Sequence, residues 1–162
     1  MTSKVLLALA AFLPMTVLAL GADIEFRSTV FVGSYVYQLD ILGDKRGGPV
    51  RFQVDCKSGC TAFSRYREDF IDIPLYLMQP RDGSDRTLTV WTTGSAYRIV
   101  VYRLDGAAIH KVLDRGSRTP PATSFDGKGR EQLKLCTTRC AVFLWSDDKG
   151  VYIEKQAGAD AR

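Results

Sequence analysis

Alternation with a period of two, broken at short intervals by turn-forming residues, constrains this chain more than any other feature. In Val50–Cys56, the residues Val50, Phe52, Val54 and Cys56 alternate with Arg51, Gln53 and Asp55, giving one apolar face and one wet face. Tyr35, Tyr37, Leu39 and Ile41 form a second stripe of the same kind. Residues 97–104 are apolar on both faces, with Tyr97, Ile99 and Val101 set against Val100, Tyr102 and Leu104. Such a strand belongs in the centre of a structure, covered on both sides. Pro74 cannot donate to a strand ladder, so the run around it is expected at an edge. No helical period competes beyond residue 22. The expectation is an all-β domain, an antiparallel sandwich or barrel of about ten short strands, braced by disulfides.

Turn chemistry sets the hairpins. Gly33-Ser34 and Gly94-Ser95 suit type II′ turns, with glycine in the first central position. Asp105-Gly106 suits a type I′ turn. Two stretches read as long loops, Gln79–Asp85 and Arg115–Arg130, and long loops are disproportionately functional.

The first residues are expected to be an export signal. Lys4 precedes the apolar run VLLALAAFLPMTVLAL, and Ala19 and Gly21 place small residues at −3 and −1 of a cleavage site. The run is short for a membrane span and contains Pro14. This divides the chain into a signal, 1–21, and a single exported domain, 22–162, with no membrane anchor in the mature chain. Removing 21 of the 162 residues leaves 141, enough for one domain with a substantial core. Of the 22 basic residues only Lys4 leaves with the signal, so 21 face 18 acidic ones. That balance falls short of a nucleic-acid binder, and no nucleic-acid partner is expected. Fourteen arginines against eight lysines, and no asparagine, fit a GC-rich bacterial genome.

All four cysteines sit in two copies of C-x-x-x-C-x-x-F, Cys56–Phe63 and Cys136–Phe143. An even cysteine count in an exported chain reads as disulfides. Four cysteines allow three pairings. Loop entropy favours the long-range ones, with about 4.5 kcal/mol for a ring of eighty residues against about 2 for one of five. Spacing and turn chemistry favour the local ones, Cys56 with Cys60 and Cys136 with Cys140, and these are expected. In CKSGC, Gly59 would close a three-residue hairpin loop that sets Cys56 opposite Cys60. Arg139 makes the same turn less comfortable in CTTRC. A zinc site of four thiolates, or a dithiol redox centre, would be the enzymatic alternative. A Gly-Ser-tyrosine element precedes each cysteine motif and raises an internal duplication. The separations, 23 residues from Gly33 to Cys56 and 42 from Gly94 to Cys136, could be absorbed by the long loop. The phase tells against the duplication, since Phe52 and Val54 share the face of Cys56 while Leu133 and Leu135 lie opposite Cys136.

No catalytic constellation is legible, and the reading leans away from an enzyme. His110 is the sole histidine and has no nucleophile motif near it. The stretch FDGKGRE places Lys128 and Arg130 where a calcium loop needs oxygen ligands. No cofactor or metal is expected. The candidate binding surface comprises Arg65, Tyr66 and Arg67, with Arg115, Arg118, Lys128 and Arg130 from the long basic loop. Tyrosine and arginine are enriched where binding energy concentrates.

The stretch YRLDGAAIHKVLDRG, residues 102–116, is similar to one β-propeller blade, although the mature chain is too short for a propeller. In size, export signal and β-richness the chain also resembles the periplasmic lysozyme inhibitors. That resemblance implies a secreted inhibitor of a hydrolase, but it carries no motif. The positive charge opposes it, because lysozymes are themselves commonly basic. The expectation is a secreted or periplasmic, non-enzymatic β-domain that binds a protein or glycan in the bacterial envelope.

Overall fold

A computed structural model of the chain describes residues 23–43, 48–78 and 85–155. The expected export signal, and the stretch 79–84 of the first expected loop, lie outside the described residues. Twelve strands form, and the described residues contain no helix. They run β1 Asp23–Val32, β2 Tyr35–Gly43, β3 Val50–Ser58, β4 Arg65–Phe70, β5 Ile73–Met78, β6 Arg86–Thr92, β7 Tyr97–Asp105, β8 Ala108–Ser117, β9 Ala122–Phe125, β10 Glu131–Cys136, β11 Cys140–Ser146 and β12 Val151–Lys155. Each consecutive set of four makes one antiparallel meander, β1–β4, β5–β8 and β9–β12.

The three sheets stack through two cores. Tyr37, Leu39 and Ile41 of β2, Phe52 and Val54 of β3 and Phe70 of β4 pack with Trp91 of β6 and Val100, Tyr102 and Leu104 of β7. Phe70 stacks on Trp91 with ring centroids 3.9 Å apart, and Phe52 on Tyr102 at 4.5 Å. The other face of the middle sheet presents Leu88, Val90, Ile99, Val101 and Leu113. These meet Leu133, Leu135, Phe143, Trp145 and Tyr152 of the third sheet. Successive residues of β7 thus enter opposite cores, as side chains on a pleated strand must. The doubly apolar run at 97–104 is the central strand that the sequence implies, and the sandwich has three layers. Pro74 lies on β5, an edge of the middle sheet.

Polar clusters lock the seams. Between the first and second sheets, the Glu68 carboxylate accepts from the hydroxyls of Tyr66 and Tyr102, each at 2.8 Å, and from Lys111 Nζ. Lys111 reaches on to Asp114 (3.3 Å), and Arg98 forks onto Asp114 (3.0 and 2.9 Å) while touching the buried Asp72 (3.2 Å). Between the second and third sheets, Arg86 lies 4.0 Å over the Trp145 ring and pairs with Glu131 (3.1 Å). Glu131 also accepts from the Tyr152 hydroxyl (2.6 Å).

Both disulfides are local, Cys56–Cys60 and Cys136–Cys140. Their settings reverse the turn argument. CTTRC is the hairpin that sets its cysteines opposite one another, Cys136 against Cys140. Its loop needs no positive φ at Arg139, and the Arg139 carbonyl accepts from the Thr137 N–H (3.0 Å). In CKSGC, β3 continues to Ser58, Cys56 faces the Ser64 carbonyl (3.0 Å) and Cys60 lies in the following loop. Gly59, at φ 87°, turns the chain there, and a Cβ would meet the Ser34 carbonyl at 2.7 Å.

Other expectations change too. The Arg115–Arg130 stretch is not one continuous loop, since seven of its sixteen residues lie in strands. β8 runs to Ser117, β9 occupies Ala122–Phe125, and Asp126 closes the turn to β10 by accepting from the N–H groups of Lys128 (2.9 Å) and Arg130 (2.8 Å). At Asp105-Gly106 neither residue has positive φ. The two-residue loop is Gly106-Ala107, and Asp105 caps it through the N–H groups of Ala107 (3.0 Å) and Ala108 (2.8 Å). Gly33 does take positive φ, 56°, at the first position of its two-residue loop. The proposed repeat units fall at unlike places. One motif ends the third strand of the first sheet, and the other joins the second and third strands of the last.

Candidate functional site

The outer face of the β1–β4 sheet is where charged side chains converge. Alternation that sends Tyr37, Leu39, Phe52 and Val54 inward sends Gln38, Asp40, Gln53 and Asp55 outward. Cross-strand register then builds two rows. Arg27, Asp40, Gln53 and Arg67 stand side by side across all four strands, and Gln38, Asp55 and Arg65 form the next row.

Each buried carboxylate is held from both sides. Arg27 grips Asp40 side-on, Nε to Oδ1 at 2.7 Å and Nη2 to Oδ2 at 3.0 Å, and Gln38 Nε2 donates to Asp40 Oδ2 at 2.8 Å. Gln53 Nε2 donates to Asp55 Oδ2 at 2.9 Å, while Arg65 Nε bonds Asp55 Oδ1 and Lys57 stands 3.9 Å away. Arg67 Nε donates to a neutral partner, Gln53 Oε1, at 3.1 Å. At the sheet's end Arg51 forks onto Asp69 at 2.6 and 3.2 Å.

The two halves of these pairs differ sharply in exposure. Asp40 and Asp55 side chains are 4% and 8% exposed, whereas Arg27 and Arg65 are each 50% exposed. The anions are sunk into the sheet and the guanidinium groups form its surface. Burial would raise the Asp55 pKa, but hydrogen bonds from Arg65 and Gln53 outweigh it and hold the carboxyl below its usual range. Its hydrogen bond with Asp55 in turn raises Arg65. The guanidinium groups are therefore permanently charged and oriented by side-chain bonds. A shallow depression lined by Ser64, Arg65 and Arg67 lies at the β4 edge.

The remaining predicted residues divide. Arg65 and Arg67 stand on this face, and Tyr66 points the other way, into the seam with Glu68. Arg115 is exposed on β8, donating to the Asp114 carbonyl (3.0 Å). The N–H of Arg118 bonds the Cys136 carbonyl (2.5 Å). Lys128 and Arg130 flank the β9–β10 turn, where Arg130 is held by Asp126 (2.7 Å). That turn belongs to the third sheet, across the middle sheet from Arg65, so the seven predicted residues do not form one surface. Arg27, Arg51, Ser64 and the buried Asp40, Gln53 and Asp55 went unremarked as a site. Their signal was the wet face of Val50–Cys56, legible as alternation but silent about its neighbours.

The cysteine pairs sit apart. Thr61, next to Cys60, bonds the Gly106 carbonyl (3.2 Å), whereas Cys136 bonds Ser117 Oγ (3.0 Å). These are opposite ends of the β7–β8 hairpin, roughly 26 Å apart along the strand. Four sulfurs so placed cannot share one metal ion, whose thiolate ligands lie about 2.3 Å from it. Among the described residues no three His, Cys, Asp or Glu side chains gather as metal ligands, and no cysteine is free.

The other clusters are already committed. At Glu68, burial raises the pKa, but bonds from Lys111, Tyr66 and Tyr102 prevail and keep it ionised. Burial together with that carboxylate pushes the Tyr66 and Tyr102 hydroxyls upward, leaving them neutral donors. His110 Nε2 lies 3.0 Å from Asp105, which also caps the hairpin. On the third sheet, Leu144, Trp145, Asp147, Asp148 and Ile153 help line a depression of about 360 Å³. Its Trp145 indole N–H is taken by Asp147 (2.7 Å).

Two formed disulfides fit a non-reducing, extracytoplasmic environment. Among the described residues no helix is long and apolar enough to cross a membrane. Compared with protein families, with curated proteins and with solved structures, the chain matches none.

Proposed function

We propose that this chain is an exported, non-enzymatic binding domain of the bacterial envelope, and that it engages a protein or glycan partner through the outer face of β1–β4. The observation that carries this reading is the exposure of Arg27 and Arg65 above carboxylates sunk to 4% and 8%. A cationic surface whose side chains are already fixed loses little conformational entropy when a partner arrives. At the end of the same sheet Arg51 and Asp69 are instead both half-exposed, at 42% and 49%.

The test compares two charge reversals in the oxidised, purified chain, using retention on isolated cell envelopes. Arg67→Glu changes the face and leaves no buried carboxylate without its arginine. Arg115→Glu changes an exposed arginine on β8. Retention lost in the first variant and kept in the second supports the reading. Equal retention in both removes it, as does turnover of a substrate abolished by changing a specific polar side chain.

A further inference from the structure

We infer that the ligand of this face is an acidic polysaccharide whose carboxylate groups dock at the depression formed by Ser64, Arg65 and Arg67. The inference rests on the binding role just proposed for β1–β4 and names the chemistry of its partner.

Charge gives the sign. The outward side chains of the sheet include five cations, Arg27, Arg51, Lys57, Arg65 and Arg67, against three carboxylates, Asp40, Asp55 and Asp69. Two of those carboxylates are buried, so an approaching ligand meets mainly positive charge. Arg67 is the residue best able to bind. Its Nε is anchored on Gln53 Oε1, a neutral acceptor that positions the group without cancelling its charge. A guanidinium so held offers its outer N–H groups to a carboxylate in a fork. The Ser64 hydroxyl beside it is exposed and can accept or donate to a sugar hydroxyl.

Surface character selects a glycan over a protein. Protein interfaces concentrate their energy in large apolar or aromatic anchors seated in pockets. Around Ser64, Arg65 and Arg67 the face is hydrogen-bonding throughout. The exposed Phe31 stands on the opposite edge strand, β1, beside Val36. Repeated carboxylates along a polymer also suit a sheet face with arginines at both edges, Arg27 on β1 and Arg65 and Arg67 on β4.

The experiment measures binding of the oxidised chain to four polymers, namely polygalacturonate, dextran sulfate, neutral dextran and polyglutamate. Expected is saturable binding to polygalacturonate that weakens with added salt, with none to dextran. Arg67→Gln should weaken it about tenfold, the loss of one charge-assisted fork. The same variant should unfold within a degree or so of the parent, because no buried carboxylate loses its partner. Equal or tighter binding to polyglutamate overturns the glycan in favour of an acidic peptide. Equal binding to dextran sulfate reduces the effect to general polyanion attraction. Unchanged affinity in Arg67→Gln moves the site elsewhere. If no polymer binds while envelope retention still depends on Arg67, the glycan inference fails and the binding role stands.

Discussion

Two buried tyrosines show how differently one hydroxyl can count. Tyr102 and Tyr37 are both fully buried. The Tyr102 hydroxyl donates to Glu68 at 2.8 Å, whereas that of Tyr37 has no hydrogen-bond partner among the described residues. Burial, with Asp105 and Tyr35 nearby, pushes the Tyr37 hydroxyl up to about 12. Removing a bonded hydroxyl should cost roughly 1–2 kcal/mol, and removing an unsatisfied one should cost nothing or gain slightly. Tyr102→Phe is therefore expected to lower unfolding free energy by about that amount. Tyr37→Phe should leave it unchanged or raise it, and urea denaturation distinguishes the two. Gly106 makes a third case at this scale. Its backbone conformation suits any residue, but a Cβ would fall 2.2 Å from the Tyr35 ring. Gly106→Ala should cost about 1–3 kcal/mol through overpacking. Most of that cost should vanish when Tyr35 is also shortened to Ala, as a double-mutant cycle would show.

Each disulfide fastens an element that bridges two sheets. The Cys56–Cys60 ring closes the β3–β4 loop, which reaches the middle sheet through Thr61 N–H on the Gly106 carbonyl. The Cys136–Cys140 ring closes the β10–β11 hairpin, which Ser117, the last residue of β8, and the following Arg118 hold to the middle sheet. A five-residue ring is worth about 2 kcal/mol by loop entropy. Replacing either pair by serine should thus lower stability by about that amount without abolishing the fold. Amide exchange gives the sharper readout. Loss of the first pair should open protection at Thr61 and leave Cys136 untouched, and loss of the second should do the reverse. Simultaneous loss of protection at both ends would mean the staples act on the whole stack.

At the scale of the molecule, carboxylates held in the first seam and on the outer face make stability depend on acid. Glu68 and Asp55 are held low because hydrogen bonds outweigh the raising effect of burial. Asp114 is held low chiefly by Arg98. In the unfolded chain each returns to about 4, so the unfolded state takes up protons first as pH falls. The stability these carboxylates confer is complete above their unfolded pKa values and is lost as pH drops through the lower folded ones. The urea midpoint should change little between about pH 5 and 7 and fall below about pH 4. Glu68→Gln should start from a lower midpoint and fall less steeply. An identical acid limb in that variant would show that the first seam contributes nothing to the pH dependence.

Alternation along single segments determined the strands, the doubly covered position of Tyr97–Asp105 and the edge position of Pro74. Each depends on side chains two residues apart or on one missing N–H, and these are properties of local sequence. The expected long loop at Arg115–Arg130 failed because proline, glycine and charge suppress the apolar signal. There β9 exists through pairing with β10, from Glu131 opposite Phe125 to Lys134 opposite Ala122. The two cysteine motifs look alike in sequence yet play different parts, since β3 runs past Cys56 while β10 ends at Cys136. The arginine face was the least legible. Arg27, Asp40, Gln53 and Arg67 are spread over forty residues, and only register across four strands makes them one row. Sequence determined which way each side chain points, and tertiary pairing decided which side chains meet.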